Sequence, residues 1–177
     1  MTDDRFYRAP EGDTAGAYLG DQQMQWLQNK LLTSNATFKF ICSGSQVLND
    51  SYYGESYAKY PVERNRLLDF IANNNIKGVV FLSGDKHFSE MSKRNWKGYP
   101  MYDFTSSPLT SPVIRIRTNG YVNSYSVPGT LLYRKNFGKI SISGPVGDRT
   151  CKMEIFGKGG DKKWEYVVNS NDIQQGK

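Results

Sequence analysis

Cysteine and histidine, the residues that most often bind transition metals, are scarce in this chain. Among its 177 residues there are two cysteines and one histidine. Cys42 and Cys151 are far apart and form no Cys-x-x-Cys motif, which argues against a zinc ribbon and against a redox-active cysteine pair. Each lies in an apolar or alternating pattern, so both are expected to be buried thiols of β-strands.

Long apolar runs are also missing. No segment approaches the roughly 18 apolar residues that a membrane-spanning helix needs. The first residues, Met-Thr-Asp-Asp-Arg, lack the basic and then apolar segments of a signal peptide, which says nothing about location if the chain is a fragment. The composition, 38% hydrophobic and 14% aromatic, is that of one globular domain with a real core.

Several common catalytic motifs do not occur. The sequence has no Walker phosphate loop, no Gly-x-Gly-x-x-Gly dinucleotide turn and no His-Glu-x-x-His zinc motif. Neither Ser45 nor Ser83 lies in a Gly-x-Ser-x-Gly frame, which disfavours a serine hydrolase of the α/β type.

The net charge of the chain is +6, from 23 basic and 17 acidic residues. A solvated basic surface is the simplest interpretation, and such a charge also attracts anionic substrates such as phosphates. With 12 tyrosines, it raises the alternative of a basic nucleic-acid-binding domain. However, Lys and Arg do not form blocks, and the tyrosines between residues 52 and 60 can simply pack a loop. No specific nucleic acid partner is therefore expected.

The first half of the chain has the pattern of an α/β fold. Helical spacing of Met24, Leu27 and Leu31 predicts a helix over 21–32, with Asp21 as its cap. Apolar runs at 38–42 and 78–82 predict two strands, and Pro61 begins the helix between them. Strand, helix and strand form a βαβ unit, whose two strands are parallel.

The two predicted strands end in similar polar turns, residues 43–46 and 83–87. Because parallel strands present their carboxyl ends at the same edge of a sheet, both turns are expected to face one crevice. In open α/β sheets, ligands bind at that edge. This placement is the main physical indication of a functional site.

The second half changes character. Residues 99–104 are interpreted as another strand, followed by a loop rich in Ser, Thr and Pro. From Gly138 onward, apolar residues alternate with polar ones, with turns at 145–148 and 157–161. The alternating residues are Ile140, Ile142, Cys151, Met153, Ile155, Trp164, Tyr166 and Val168. The pattern predicts an antiparallel meander with one solvated face.

His87, the single histidine, follows Asp85 by two residues in the second of these turns. A lone histidine is more often structural than a metal ligand, but its place at the carboxyl end of a strand favours a role in metal binding. One carboxylate and one imidazole form a mixed set that suits Fe, Mn or Zn. The Gly-Asp-x-His pattern alone is weak, since many turns contain Gly-Asp.

Several segments occur together in the order found in one enzyme family. They comprise an Asp-x-Arg segment at 3–8, a Leu-Gly-x-x-Gln-x-x-Trp-Leu segment at 19–27, a strand and turn at 34–39 and 45–47, Tyr-Pro-Val-Glu-Arg at 60–64, and Leu-Ser-Gly-Asp-Lys-His at 82–87. Taken together they resemble the alkaline phosphatase D (PhoD-like) family of calcineurin-like metallophosphoesterases. The resemblance covers most of the chain, and the meander matches less distinctively.

This resemblance implies a metal-dependent hydrolase of phosphate mono- or diesters. Asp85 and His87 correspond to metal ligands, with divalent or mixed-valence Fe, Ca, Mn or Zn as the cofactors. Gln46 is expected to contact metal-bound water or substrate rather than metal. Arg5 is expected to orient a phosphate, with a structural ion pair as the equal alternative.

The family's earlier metal-binding motifs are not found in this sequence. Residues 1–177 are therefore interpreted as a single domain, the C-terminal half of a four-layer α/β/β/α metallophosphatase sandwich whose partner is the missing N-terminal half. On this interpretation Met1 can be an internal residue, and the isolated chain is expected to be inactive. The family also suggests a periplasmic or secreted bacterial protein. The rival hypothesis is a non-catalytic binding or structural module.

Overall fold

The structure is a computed structural model of the chain and describes residues 1–114 and 121–174. Its regular elements are α1 (Asp21–Thr33), β1 (Lys39–Cys42), α2 (Pro61–Asn73), β2 (Val79–Ser83), β3 (Glu90–Trp96), β4 (Tyr99–Thr105), β5 (Asn136–Ser143), β6 (Thr150–Gly157) and β7 (Lys162–Asn169). Within these ranges, no helix is long and apolar enough to cross a membrane.

The first half forms a mixed four-stranded sheet with the order β1-β2-β4-β3. Strands β1 and β2 are parallel neighbours connected by α2, so the predicted βαβ unit is confirmed. Strand β4 continues the parallel part, and β3 runs antiparallel to β4 at the sheet edge. Strand β3 was not predicted, because its sequence, Glu-Met-Ser-Lys-Arg-Asn-Trp, is mostly polar.

The second half is an antiparallel sheet of β5, β6 and β7 in sequence order, which confirms the predicted meander. It packs against β4 through aromatic contacts: the rings of Phe104 and Trp164 lie 5.7 Å apart, and those of Tyr102 and Tyr166 lie 5.9 Å apart. A Cβ at Gly138 would lie 2.7 Å from the Phe104 ring, so this close approach requires glycine. The chain is thus mixed α/β with two packed sheets, and the four-layer arrangement stays a prediction.

Two local predictions need correction. The N-cap of α1 is Gly20, with a φ of 83°, and Asp21 is already helical. The free N–H groups before the helix are instead satisfied by Glu63 of α2, which accepts hydrogen bonds from Leu19 (2.7 Å) and Gly20 (3.1 Å). Of the two cysteines, Cys151 is fully buried as predicted, but Cys42 is only partly buried.

Candidate functional site

The turns that follow β1 and β2 lie side by side at the carboxyl edge of the sheet. The backbone N–H of Gly84 donates to the carbonyl of Gly44 at 3.1 Å, and that of Ser43 donates to Leu82 at 2.9 Å. The two polar turns therefore share one edge of the sheet, as the parallel topology requires.

The turn after β2 has an unusual backbone. Asp85 (φ 64°) and His87 (φ 60°) both adopt the left-handed conformation, which is uncommon for residues other than glycine. Lys86 between them is buried, and its ammonium donates to the carbonyls of Tyr53 (2.8 Å) and Glu55 (2.6 Å). These contacts fix the turn to the loop after β1. Strained backbone held in this way is concentrated at functional sites.

His87 is half-buried and anchored through one ring nitrogen. Its Nδ1 lies 2.5 Å from the carbonyl oxygen of Pro112. A carbonyl only accepts, so Nδ1 carries a proton in this contact, and in the neutral ring Nε2 then carries the lone pair. Among the described residues Nε2 has no hydrogen-bond partner. Histidines that bind metals commonly use this arrangement, with one nitrogen fixed by a carbonyl and the other available.

The Asp85 carboxylate makes no hydrogen bond or ion pair with any other described residue. Its pKa is raised above the usual value because neighbouring groups remove part of its water, and the charge of Glu55 adds to this. The positive charges of Lys86, Arg5 and His87 act in the opposite direction. Asp85 is thus an available oxygen donor beside several cationic groups.

Arg5 lies near this turn and forms an ion pair. Its guanidinium is 2.7 Å from Glu55, and Arg8 contacts the other oxygen of the same carboxylate at 3.1 Å. Burial alone would raise the pKa of Glu55, but the hydrogen bonds from Arg8 and Arg5 outweigh it and lower the pKa. The side chain of Arg5 remains 57% exposed, so Arg5 can keep its ion pair with Glu55 and also contact a ligand.

The side chain of Gln46, in the turn after β1, is 0% exposed. Its Nε2 donates to Glu90 (3.0 Å) and to Thr105 (2.9 Å), and its Oε1 accepts from Asn49 at 2.5 Å. These hydrogen bonds of the amide are thus made to buried neighbours, and they hold the turn after β1 in place. Contact between Gln46 and substrate stays a prediction.

Two buried carboxylates at the same edge were missed in the sequence. Asp103, 0% exposed, accepts hydrogen bonds from the backbone of Val47 (2.7 Å) and Leu48 (3.1 Å) and from the Ser83 hydroxyl (2.7 Å). Burial raises the pKa of Asp103, although these hydrogen bonds oppose the shift. Glu90, also 0% exposed, has one oxygen with no hydrogen-bond partner. The only sequence signal for Asp103 was an acid between Tyr102 and Phe104, and Glu90, between Ser89 and Met91, had none.

The donor set is chemically suited to a metal but too small. Within residues 1–114 and 121–174, no three His, Cys, Asp or Glu side chains gather where they could hold a metal ion. Asp85 and His87 would offer two donor groups, whereas protein metal sites generally use three or more. These two residues therefore fit one part of a metal centre, and further ligands are required to complete it.

Comparison with known proteins agrees with the resemblance seen in the motifs. The profile of the PhoD-like phosphatase family matches residues 2–142. Alkaline phosphatase D of Bacillus subtilis (strain 168) is 35% identical over 83 residues, covering 40% of this chain and 14% of that protein. A solved structure described as the structure of PhoD has a TM-score of 0.66 at 19% identity. It covers 99% of this chain but 42% of its own length, so the chain spans less than half of either relative. Because the family profile extends over most of the sequence, the chain belongs to the PhoD-like phosphatase family.

Proposed function

We propose that this chain takes part in the metal-dependent hydrolysis of phosphate mono- or diesters. The observation that carries the proposal is the geometry of His87, whose Nδ1 is fixed by Pro112 while Nε2 has no partner among the described residues. The unpaired carboxylate of Asp85 lies two residues away in the same strained turn. Family membership supports a phosphatase as the broad class.

In this proposal Asp85 and His87 are two ligands of a centre that needs further ligands. A bound metal would supply Lewis acidity and lower the pKa of a bound water. The candidate metals are Fe, Ca, Mn and Zn. The chain's own contribution is to hold the two donors in place through the anchored turn.

Arg5 is proposed to orient the phosphate. A guanidinium offers several donors in a fixed plane, which suits paired contacts with phosphate oxygens. The ion pair with Glu55 holds Arg5 close to the turn, so a phosphate would meet a side chain that is already positioned. Gln46 is proposed to act mainly by supporting the turn from the buried side.

Three further expectations belong to the same proposal. The substrate is a phosphate ester, and the partner is the remaining part of the same fold, which would bring the missing ligands. A periplasmic or secreted location follows from the family resemblance alone. The antiparallel sheet is not assigned a part in the chemistry.

The first test is a chromogenic phosphodiester assay on the purified chain, with Mn²⁺, Zn²⁺, Ca²⁺ or Fe added in turn. We expect negligible turnover and weak metal binding, because no three metal-binding side chains gather among the described residues. Robust turnover that disappears in His87→Ala would show that the chain forms a complete centre and that the ligand count is wrong.

The second test is a chimera in which this chain replaces the matching segment of the Bacillus subtilis alkaline phosphatase D. We expect phosphoesterase activity that Asp85→Ala and His87→Ala each abolish, while exposed Lys77→Ala leaves it unchanged. Circular dichroism verifies that each variant is folded. A folded chimera whose activity survives both site substitutions would contradict the proposal.

A further inference from the structure

A groove with four basic residues in its lining lies beside the turn that carries Asp85 and His87. It has a volume of ≈ 870 Å³ and runs between the segment before β5 and the turn joining β6 to β7. Its cations are Arg134, Lys135, Lys158 and Lys163, and Asp161 is its acid. This is called the basic groove below.

Most of the positive charge in the basic groove is not neutralised. Asp161 pairs with Lys163. Arg134, Lys135 and Lys158 form no ion pair with any other described residue, and all three are exposed. Such a concentration of like charge creates a local positive potential that attracts anions.

The basic groove adjoins the His87 turn through two connections. Val113, which lines the groove, directly follows Pro112, the partner of His87 Nδ1. Tyr133, also in the lining, packs against Phe88 with ring centroids 5.4 Å apart. Both connections lead to the residues immediately at or after His87, so a ligand held at the turn would have the groove beside it.

The turn between β6 and β7 leaves the groove open. Gly159 is part of the lining and carries no side chain, and the nearest atom to where its Cβ would be is Asp161 Oδ1 at 3.6 Å. The space beside Gly157 is taken by Asp161 and Lys163. Gly160 has a φ of 83°, which allows the tight turn, and no atom lies within 4 Å of where its Cβ would be. A ligand can therefore approach the backbone at Gly159 and Gly160 while Lys158 reaches its charged groups.

We propose that the basic groove binds a second anionic group of the same ester whose scissile phosphate lies at the Asp85–His87 turn. The ligand class is thus an ester that carries at least two phosphates or comparable anions. This inference rests on the proposed function for the location of the first phosphate. The binding of an anion in the groove can be measured separately from hydrolysis.

The test is calorimetric titration of the 177-residue chain with inorganic tripolyphosphate at low salt and without metal. The groove variant is Lys135→Gln/Lys158→Gln. The control is Lys30→Gln/Lys77→Gln, which removes the same charge from exposed lysines elsewhere. We expect the groove variant to bind roughly fivefold to tenfold more weakly, given modest energies for exposed charges, and the control to stay within about twofold.

Asp161→Asn is expected to change the affinity for tripolyphosphate in the opposite direction. It removes the acid of the groove while preserving side-chain shape, so tripolyphosphate should bind about twofold to threefold more tightly. Equal weakening in the groove variant and the control, or no weakening in either, would overturn the proposal. Tighter binding of single-stranded DNA than of tripolyphosphate, lost in the groove variant, would overturn it in favour of a nucleic-acid surface. Because no turnover is measured, failure of the hydrolysis proposal would show only in the chimera assay.

Discussion

The carboxyl edge of the mixed sheet and the turns of the antiparallel sheet present two different kinds of polar surface. At the first, buried groups such as Asp103 and Gln46 are saturated with internal hydrogen bonds, and exposed Asp85 and half-buried His87 lie in the turn after β2 at the same edge. At the second, the side chains of Arg134, Lys135 and Lys158 are exposed and form no ion pair with any other described residue. The first region is built for fixed geometry, and the second for electrostatic attraction.

This contrast separates two expected responses to mutation. Removing a buried acceptor leaves donors unsatisfied in a medium where water cannot replace it, so stability falls sharply. Removing an exposed cation changes the local potential and leaves folding almost untouched. Stability measurements should therefore report on the first region, and ligand affinity on the second.

The largest effect is expected for Asp103→Ala. It leaves the backbone N–H groups of Val47 and Leu48 without their acceptor and removes one of the two partners of the Ser83 hydroxyl. At roughly 1–3 kcal/mol for each unsatisfied buried group, the free energy of unfolding should fall by about 4 kcal/mol. Urea denaturation measures this loss.

Asp103→Asn is the matched control, because an amide oxygen can still accept from Val47 and Leu48 while its NH₂ faces Ser83. It should cost about 1 kcal/mol. If Asp103→Ala loses no more stability than Asp103→Asn, the buried acceptor does not hold the turn after β1.

Gln46→Glu tests the same group of buried polar residues by placing a second negative charge among them. The new carboxylate would replace an amide nitrogen that lies 3.0 Å from Glu90. Two buried carboxylates at that distance should cost about 3 kcal/mol at neutral pH. Repulsion raises at least one pKa in the folded state, so the loss should shrink as pH falls and that group is protonated. Urea midpoints at pH 7 and pH 5, compared with Gln46→Ala, measure the effect; a loss independent of pH would contradict the charge argument.

Lys86 connects this region to the loop after β1 and gives a pH-dependent test. Burial lowers its pKa to about 8, whereas an unfolded lysine keeps its usual 10.5. Between these values the unfolded chain binds more protons, so the stability contributed by this group rises with pH. From pH 7 to pH 10 the wild type should gain about 2 kcal/mol relative to Lys86→Met.

The comparison with Lys86→Met cancels the other titrating groups, including the tyrosines, which are common to both proteins. Urea midpoints of the two proteins across this pH range measure the difference. Parallel stability profiles would mean that the Lys86 ammonium is solvated and does not tie the turn to Tyr53 and Glu55.

The smallest effect is expected for Glu55→Gln. Its ion pairs with Arg5 and Arg8 are partly exposed, so the free energy of unfolding should change by less than about 1 kcal/mol. In the chimera, by contrast, loss of the carboxylate that positions Arg5 should raise KM for the phosphodiester more than it lowers kcat. A stability loss as large as that of Asp103→Ala would mean that Glu55, like Asp103, is needed to hold the folded structure.

The sequence was sufficient for the parts of the fold that follow local patterns. The apolar run of β2 and the helical spacing of α2 predicted a parallel pair, and that topology put Asp85 and His87 at the edge where the structure places them. The alternation after Gly138 predicted the antiparallel sheet. In each case a period of two or of about 3.6 residues, or a short continuous apolar run, carried the information.

What was missed depends on contacts between distant segments. Glu90 and Gln46 meet across 44 positions of sequence, and no local pattern predicts that both are buried. Strand β3 was missed because its buried residues are partly polar and are satisfied only by tertiary partners. The basic groove likewise forms only when the meander brings Lys158 beside Arg134.

The most direct test of the central claim is a long-range ¹H–¹⁵N spectrum of the imidazole ring, before and after addition of Zn²⁺. Since His87 is the single histidine of the chain, its ring gives one set of resonances. We predict the tautomer protonated at Nδ1, as the Pro112 contact requires, and a shift of Nε2 on adding Zn²⁺ that is weakened in Asp85→Asn. A ring protonated at Nε2, or an Nε2 resonance that zinc leaves unmoved, would contradict the assignment of His87 as a metal ligand.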